Sequence, residues 1–427
     1  VSLLRAHQRA GVEWLKARDR AFLWDAPRVG KTRTLLVAAA ERGHAKPLVI
    51  CPAAVRTAWR REAEAVGLTL GLVYSYEEVT RGGLQLMAKL MKVRPDLLIV
   101  DEHHYCKHVD AKRTQVVFGK DGYANRIPAV WMASGTPMPK ANPLEIWPPL
   151  ARCFFPLLQQ AGLTTADRFR DAFCVTVEKW VPALGRTTRK VVGVKDAARL
   201  DALVADVRLR RTLADVSDDV PALDFQLLTV DRGTPREGAD GPTLARVAAM
   251  IEQDRLDAIA DEPHVTTMRR LLGEQKAGPV GYLLRDQLAD DATGGKVCLF
   301  AHHRSVLEPL RALLADYGLV YVDGDTTPKA RDAAIDAFQT DPAVRVFLGQ
   351  SKACETGITL DAATRAVLVE PSWTASDNVQ LGNRIMNTRT AGVRRTVEMV
   401  ALAGTLDEAI VAANRRETQM AAALQLA

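Results

Sequence analysis

The chain has 427 residues, 48% hydrophobic and 25% charged, with 57 Lys and Arg against 51 Asp and Glu for a formal net charge of +6. That length allows two or three domains with separate cores, and that balance excludes a disordered or fibrous chain. Six scattered cysteines without a CxxC pair exclude a disulfide scaffold and a zinc ribbon, and no apolar run approaches the ~20 residues of a membrane helix.

The N-terminal stretch SLLRAHQRAGVEWL is charged throughout and has no signal-peptide core, so a soluble, cytoplasmic protein is expected, not a membrane one. Its basic excess favours a polyanionic partner. Leu4, Gly11, Val12, Trp14 and Leu15 fall on helical spacing and predict a helix within Leu3 to Ala17. Gln8 on that helix either turns its amide toward an adenine edge or is an exposed helix residue. The apolar run Ala21 to Trp24 then leads into DAPRVGKT, Asp25 to Thr32, and TLLVAAAERG reads as a helix that opens at Thr32 and stops at Gly43.

Strand, tight loop and helix are the context of a phosphate cradle. The backbone N–H groups of Arg28, Val29 and Gly30 and the positive end of the helix dipole would point at phosphates. Lys31 would add a point charge at the β/γ-phosphates, and the Thr32 hydroxyl would sit on Mg²⁺. The loop departs from the full pattern in two places: Asp25 stands where a glycine is expected, and the bulky Arg28 sits inside it. A surface turn with a helix-capping threonine is the alternative.

Next in order, Leu48 to Cys51 predicts a buried strand stopped by Pro52, followed by a helix holding Arg56, Trp59, Arg60 and Arg61. Ligands of open α/β sheets lie past the carboxyl ends of strands, which makes Arg56 a candidate DNA phosphate contact; the other reading is a solvated basic face. Leu97 to Val100 reads as a central parallel strand ending in Asp101 and Glu102. Adjacent carboxylates are costly without a cation, so Asp101 is assigned the Mg²⁺ shell and Glu102 the orientation and deprotonation of an attacking water. His103, His104, Cys106 and His108 match no standard zinc spacing. Val130 to Ala133 is another buried strand, and the Ser134, Gly135 and Thr136 that follow it offer hydroxyls for a relay coupled to the carboxylates. Pro137 prevents the strand from continuing.

These residues resemble a known family. LRAHQRAGVEWL, DAPRVGKT, VICP, DEHH and SGTP, in this order, look like the first motor lobe of superfamily-two helicases, specifically the Snf-type double-stranded DNA translocases. SGTPMP followed by PLEIW is similar to the annealing-helicase (HARP-like) branch and its compact bacterial and phage relatives. The resemblance implies an α/β fold of two RecA-like, doubly wound parallel-sheet lobes with a helical protrusion and linker between them. It implies ATP and Mg²⁺ as cofactors and DNA, double-stranded or a fork or junction, as the partner of a monomeric motor.

The expected domains are a first motor lobe at 1–150, a helical protrusion and end of that lobe at 151–235, a linker and helical insertion at 236–290, and a second motor lobe at 291–427. The second segment carries a basic patch around Arg186, Arg189 and Lys190, then LDALVADVRLRRTLADV, similar to the family's double-arginine segment at Arg210 and Arg211. From Gly294, KVCLFAHH, SVLEPLRALLADYG, LVYVDGDTT, PKARDAAIDAFQ and VRVFLGQS alternate as strand and helix, which implies a parallel sheet with helices on its faces. By resemblance, Lys352, Thr356 and Gly357 fall where the second lobe meets DNA and nucleotide, and Trp373 where the family places an aromatic against the minor groove. A buried core tryptophan is the alternative at 373.

The family's last block has a glutamine, then an arginine four residues on, then a second arginine three further, both directed to the γ-phosphate. Gln380 and Arg384 match, but Asn387 takes the second arginine's place. Such an arginine is worth about 10³ to 10⁵ in rate, or roughly 4 to 7 kcal/mol. Either Arg384 suffices, or Arg389 substitutes, or hydrolysis is crippled; the presence of Lys31, Asp101 and Glu102 favours the first two. The expected function is ATP-driven translocation on double-stranded DNA that rewinds or remodels it. Two alternatives stand beside it: a strand-separating DExH helicase on DNA or RNA, and a weakly hydrolysing, nucleotide-gated DNA clamp.

Overall fold

Continuous apolar runs bounded by turn residues become parallel strands buried on both faces, because helices must cover both sides of such a sheet. Four of them build the centre of the first sheet. In the computed structural model the described residues are 4–139, 142–181, 186–212, 215–216, 223–230, 265–291, 295–355, 358–372, 375–386, 393–403, 405, 407–408, 410–411 and 414. The chain divides into two units at Asp218/Asp219.

The first unit alternates α1 (Ala6–Lys16), β1 (Arg20–Leu23), α2 (Lys31–Arg42), β2 (Pro47–Cys51), α3 (Arg56–Ala65), β3 (Leu72–Ser75), α4 (Tyr76–Val93), β4 (Leu97–Asp101), α5 (Lys112–Phe118), α6 (Tyr123–Arg126) and β5 (Ala129–Ala133). After these come α7 (Trp147–Cys153), α8 (Phe155–Gln160), α9 (Ala166–Phe173), β6 (Cys174–Val181), β7 (Arg186–Val194), α10 (Ala197–Val204) and β8 (Arg208–Leu209). The main sheet is parallel, ordered β3-β2-β4-β5-β1-β8. Alternate residues enter opposite layers: Phe22, Leu98, Val100 and Met132 join one core, and Leu23, Ile99 and Trp131 the other. Register sets Leu23 and Asp101 both opposite Ala133, so β1, β4 and β5 end level at their carboxyl ends.

The second unit comprises β9 (Asp224–Val230), α11 (Val265–Asp290), β10 (Val297–Ala301), α12 (Arg304–Leu313), β11 (Leu319–Val322), α13 (Pro328–Thr340), β12 (Val346–Gln350), α14 (Ser351–Cys354), β13 (Arg365–Leu368), α15 (Ala375–Gly382) and β14 (Thr396–Leu402). Its sheet, ordered β11-β12-β10-β13-β14-β9, is also parallel. Both units are therefore doubly wound α/β lobes, as the alternation of elements predicts.

Three details correct the sequence reading. The segment 151–235 is not only helical, since β6 and β7 form an antiparallel hairpin. Its signal was the two-residue alternation of VTVEKWV, a strand period that a helical analogy obscured. Asp224–Val230 does not end the first lobe but pairs with β14 at the edge of the second sheet. Val265–Asp290, expected within an insertion, buries Leu272, Ala277, Val280, Leu284 and Leu288 in the second unit's core. All six cysteines are buried and free. Among the described residues, no helix is long and apolar enough to cross a membrane.

Candidate nucleotide site

The loop after β1 runs into α2 through Gly30 in the left-handed region at φ 100°, and α2 begins at Lys31. Its first helical bond is Thr34 N–H to the Gly30 carbonyl at 3.2 Å, so the amides of Lys31 and Thr32 lie in the turn that lacks intrahelical acceptors. That turn is a ready anion site at the positive end of the helix dipole. Arg28 adopts φ 70°, a conformation costly for a residue with a Cβ, and Glu102 adopts φ 51°. Backbone strain of this kind collects at functional loops.

The loop is held from three sides. His7 Nε2 lies 3.0 Å from the Val29 carbonyl, and Val29 is buried. Gln8 is 7% exposed, which rules out the exposed-residue reading: its Oε1 accepts the Arg5 N–H at 3.0 Å, and its amide nitrogen is 2.3 Å from where a Cβ on Gly30 would stand. Asp25, fully buried, accepts hydrogen bonds on both carboxylate oxygens from Arg211, whose Nε reaches Oδ1 at 3.0 Å. The departure from glycine at this position thus has a structural partner 186 residues downstream. Sequence reasoning marked Asp25 as an anomaly and Arg211 as part of a family segment, and nothing short of the contact joins them. Lys31 donates to the Asp25 carbonyl at 2.8 Å and to Ala26 O at 3.3 Å.

Level with this loop stand the ends of β4 and β5. Asp101 Oδ1 accepts the Glu102 N–H at 3.1 Å, Oδ2 accepts the indole N–H of Trp59 at 2.8 Å, and the Asp101 carbonyl accepts the Tyr76 hydroxyl at 2.6 Å. Burial, then the Glu102 charge, pushes the Asp101 carboxyl up to about 6, against the Trp59 hydrogen bond and the nearby Lys31. Burial also pushes Glu102 up, but the hydrogen bond and charge of His104, with Lys31 and Ser134, outweigh it and hold this carboxyl below its ordinary range. The pair is therefore split into one carboxylate that resists ionisation without a cation and one that stays ionised.

Ser134 Oγ donates to Glu102 Oε2 at 3.0 Å and, having one proton, accepts from His104 Nδ1 at 2.9 Å and from Thr136 N–H at 3.1 Å. That places a proton on His104 Nδ1, which also stands 3.2 Å from Glu102 Oε2. The expected relay through Ser134 and Thr136 is thus joined by His104, a residue the sequence considered only as a metal ligand. His103 accepts the Trp24 indole N–H at 2.8 Å. A Cβ on Gly135 would lie 2.9 Å from Pro27 and 3.2 Å from Lys31 Nζ, so only glycine lets β5 approach the loop this closely.

Hard oxygen donors at Thr32 and Asp101, with an Asp101 carboxyl raised by burial and by the neighbouring Glu102 charge, fit a divalent cation of the Mg²⁺ kind. Arg56, at the start of α3, pairs with Glu78 at 2.5 Å and remains partly exposed. In the second unit, Lys352 pairs with Glu355 at 2.8 Å while its side chain stays 80% exposed. Arg384 follows α15 and donates through Nε to the Gln380 carbonyl at 2.9 Å and through Nη1 to Ile358 O at 3.2 Å. Thr356, Gly357, Trp373, Asn387 and Arg389 lie outside the described residues.

The Lys31 loop, the acidic end of β4 and the Ser134 hydroxyl thus stand together on one doubly wound lobe, and a second doubly wound lobe follows it in the chain. The helicase conserved C-terminal domain matches residues 281–388. The chain is 27% identical over 418 residues to a Caenorhabditis elegans protein, the SWI/SNF-related matrix-associated actin-dependent regulator of chromatin subfamily A-like protein 1 homolog, covering 90% of this chain and 56% of that one. It is 24% identical to the DNA annealing helicase and endonuclease ZRANB3 of Bos taurus, covering 86% of this chain and 35% of that one. A Sulfolobus solfataricus SWI2/SNF2 ATPase core in complex with dsDNA aligns at 18% identity with a TM-score of 0.40, covering 95% of this chain and 89% of that one. In these comparisons the chain is similar to superfamily two of the helicases, on its Snf-type branch. It spans about half or less of the length of these two curated relatives.

Proposed function

We propose that the chain is an ATP-driven motor on double-stranded DNA, hydrolysing ATP to move along the duplex and to rewind or remodel it. The observation that carries this reading is the levelling of β1, β4 and β5, which brings the Lys31 loop, the Asp101–Glu102 pair and Ser134 to one edge of one sheet. In that arrangement the loop amides and Lys31 bind the phosphates, and Gln8 braces Gly30 beneath them. Thr32 and Asp101 would hold Mg²⁺, which would supply charge neutralisation to the phosphates. Glu102, kept ionised, accepts the proton of the attacking water, and Ser134 and His104 fix the direction of its Oε2. Arg384 is the candidate charge for the γ-phosphate.

DNA would be held without strong sequence preference through phosphate contacts, with Arg56 and Lys352 as candidates and Thr356 and Trp373 alongside them. The protein would act as a DNA-associated monomer in the cytoplasm. The similarity to proteins named as annealing helicases supports rewinding over strand separation.

The deciding measurement is ATP turnover with and without duplex DNA in the parent protein, Lys31→Ala and Asn387→Arg. A motor gives duplex-stimulated turnover that Lys31→Ala abolishes. Negligible turnover in the parent with a large gain in Asn387→Arg would instead make it a nucleotide-gated clamp, and unwinding of a tailed duplex would make it a strand-separating helicase.

A further inference from the structure

Trp59 is 2% exposed in the middle of α3 and belongs to the same core layer as Val49, Cys51 and Ile99 of the sheet. An indole N–H can only donate, and a buried donor left unmade is costly. This one is spent on the Asp101 carboxylate, at 2.8 Å from Oδ2. Because Oδ1 is taken by the Glu102 amide and the Asp101 carbonyl by Tyr76, the indole is the one contact on this carboxylate that comes from a neighbouring helix among its described hydrogen bonds.

The same helix starts with a basic face. Arg56 lies before Trp59, and Arg60 and Arg61 follow it. The three residues from Arg56 to Trp59 span about 4.5 Å of continuous helix, less than one turn, so a displacement of the Arg56 end also moves the indole. Arg56 is paired with Glu78 on α4, an exchangeable ion pair whose guanidinium a phosphate could take over.

We propose that Trp59 is a positioning residue that sets the orientation of the Asp101 carboxylate and transmits occupancy of the basic face of α3 to it. This rests on the reading of Asp101 as the Mg²⁺ carboxylate and of Arg56 as a DNA contact. When a polyanion engages α3, the helix shifts against β4 and the indole turns Asp101 into its cation-holding pose. Trp59 itself touches neither nucleotide nor nucleic acid.

The test compares the full chain with Trp59→Phe, which keeps the ring bulk and removes the N–H, and with Trp131→Phe. Trp131 is fully buried and donates its indole N–H to the Arg18 carbonyl at 2.9 Å, away from Asp101, so it controls for loss of any buried indole hydrogen bond. Two quantities are read: the Mg²⁺ concentration giving half-maximal binding of a fluorescent ATP analogue, and the ratio of ATP turnover with and without duplex DNA. Trp59→Phe should raise the Mg²⁺ midpoint severalfold and cut DNA stimulation about tenfold, with DNA affinity unchanged, while Trp131→Phe changes neither. Equal behaviour of Trp59→Phe and the parent, or equal shifts in both variants, overturns the proposal. If the parent shows no stimulation by DNA, the motor reading fails, and the Mg²⁺ midpoint alone decides whether Trp59 holds Asp101.

Discussion

Arg211 and the buried Asp25 form an ion pair that bridges 186 positions of sequence and fastens the opening residue of the phosphate loop to the segment just past β8. The guanidinium also donates to the His7 carbonyl, and a Cβ on Gly11 would come within 2.7 Å of it. Backbone bonds run alongside: Trp24 N–H to Leu209 O and Ala26 N–H to Arg211 O, both at 2.8 Å. Removing one partner of such a pair strands a charge in the interior and costs about 3–5 kcal/mol, whereas replacing both by apolar groups can be nearly neutral. Arg211→Ala should therefore destabilise the first unit by about that amount and weaken ATP binding, and Asp25→Ala/Arg211→Leu should recover most of the stability. Urea denaturation and equilibrium nucleotide binding on the three proteins check this. A double variant no more stable than Arg211→Ala would refute the pairing energetics.

Ser134 is placed to orient Glu102, to which its hydroxyl donates. Ser134→Ala removes the donor to Glu102 Oε2 and the acceptor of the His104 Nδ1–H together, leaving Glu102 with His104 as its remaining side-chain partner among those described here. The expected outcome is a fall in kcat of about tenfold, equivalent to about 1.4 kcal/mol in the barrier, with the dissociation constant for ATP unchanged. Steady-state kinetics beside direct binding separate the two. Weaker binding at unchanged kcat would show that Ser134 supports the loop instead of Glu102.

In the second unit His302 follows β10, and burial, then the Arg269 charge, holds its imidazole down at about 4. Its Nε2 is buried without a hydrogen-bond partner, as suits a neutral ring. Since the folded form resists the proton that the unfolded chain accepts near 6.5, stability is lost as pH falls from about 6.5 toward 4. The loss attributable to this residue is about 3 kcal/mol by pH 4. Denaturation curves of the parent and His302→Gln from pH 7 to 4 should converge by that amount. A constant gap would remove His302 from the acid sensitivity of this lobe.

What the sequence made legible follows from where information is local. The strands around Leu97 to Val100 and Val130 to Ala133, the helix after Gly30 and the alternation beyond Gly294 announce themselves by apolar runs and turn residues within a few positions. The Asp101–Glu102 pair was legible because two adjacent carboxylates need an explanation wherever they fall. The roles of Trp59, His104 and Arg211 were not, since each acts through a contact made only when distant segments pack. Gln8 stood between: its sequence left two readings open, and 7% exposure against Gly30 settled that it is buried. The edge strand Asp224–Val230 was misassigned because β-pairing across more than 150 residues, here with Thr396–Leu402, leaves no mark on either segment alone.

The common finishing line of Leu23, Asp101 and Ala133 restricts how this lobe can change over evolutionary time. Side chains alternate faces along a strand, so adding or deleting one residue inside β4 would turn Asp101 to the opposite face of the sheet. Length variation is tolerable only where it leaves those three termini in step, at the opposite rim of the sheet or in the outer helices. The chemistry on this lobe is thus guarded by counting as much as by side-chain identity.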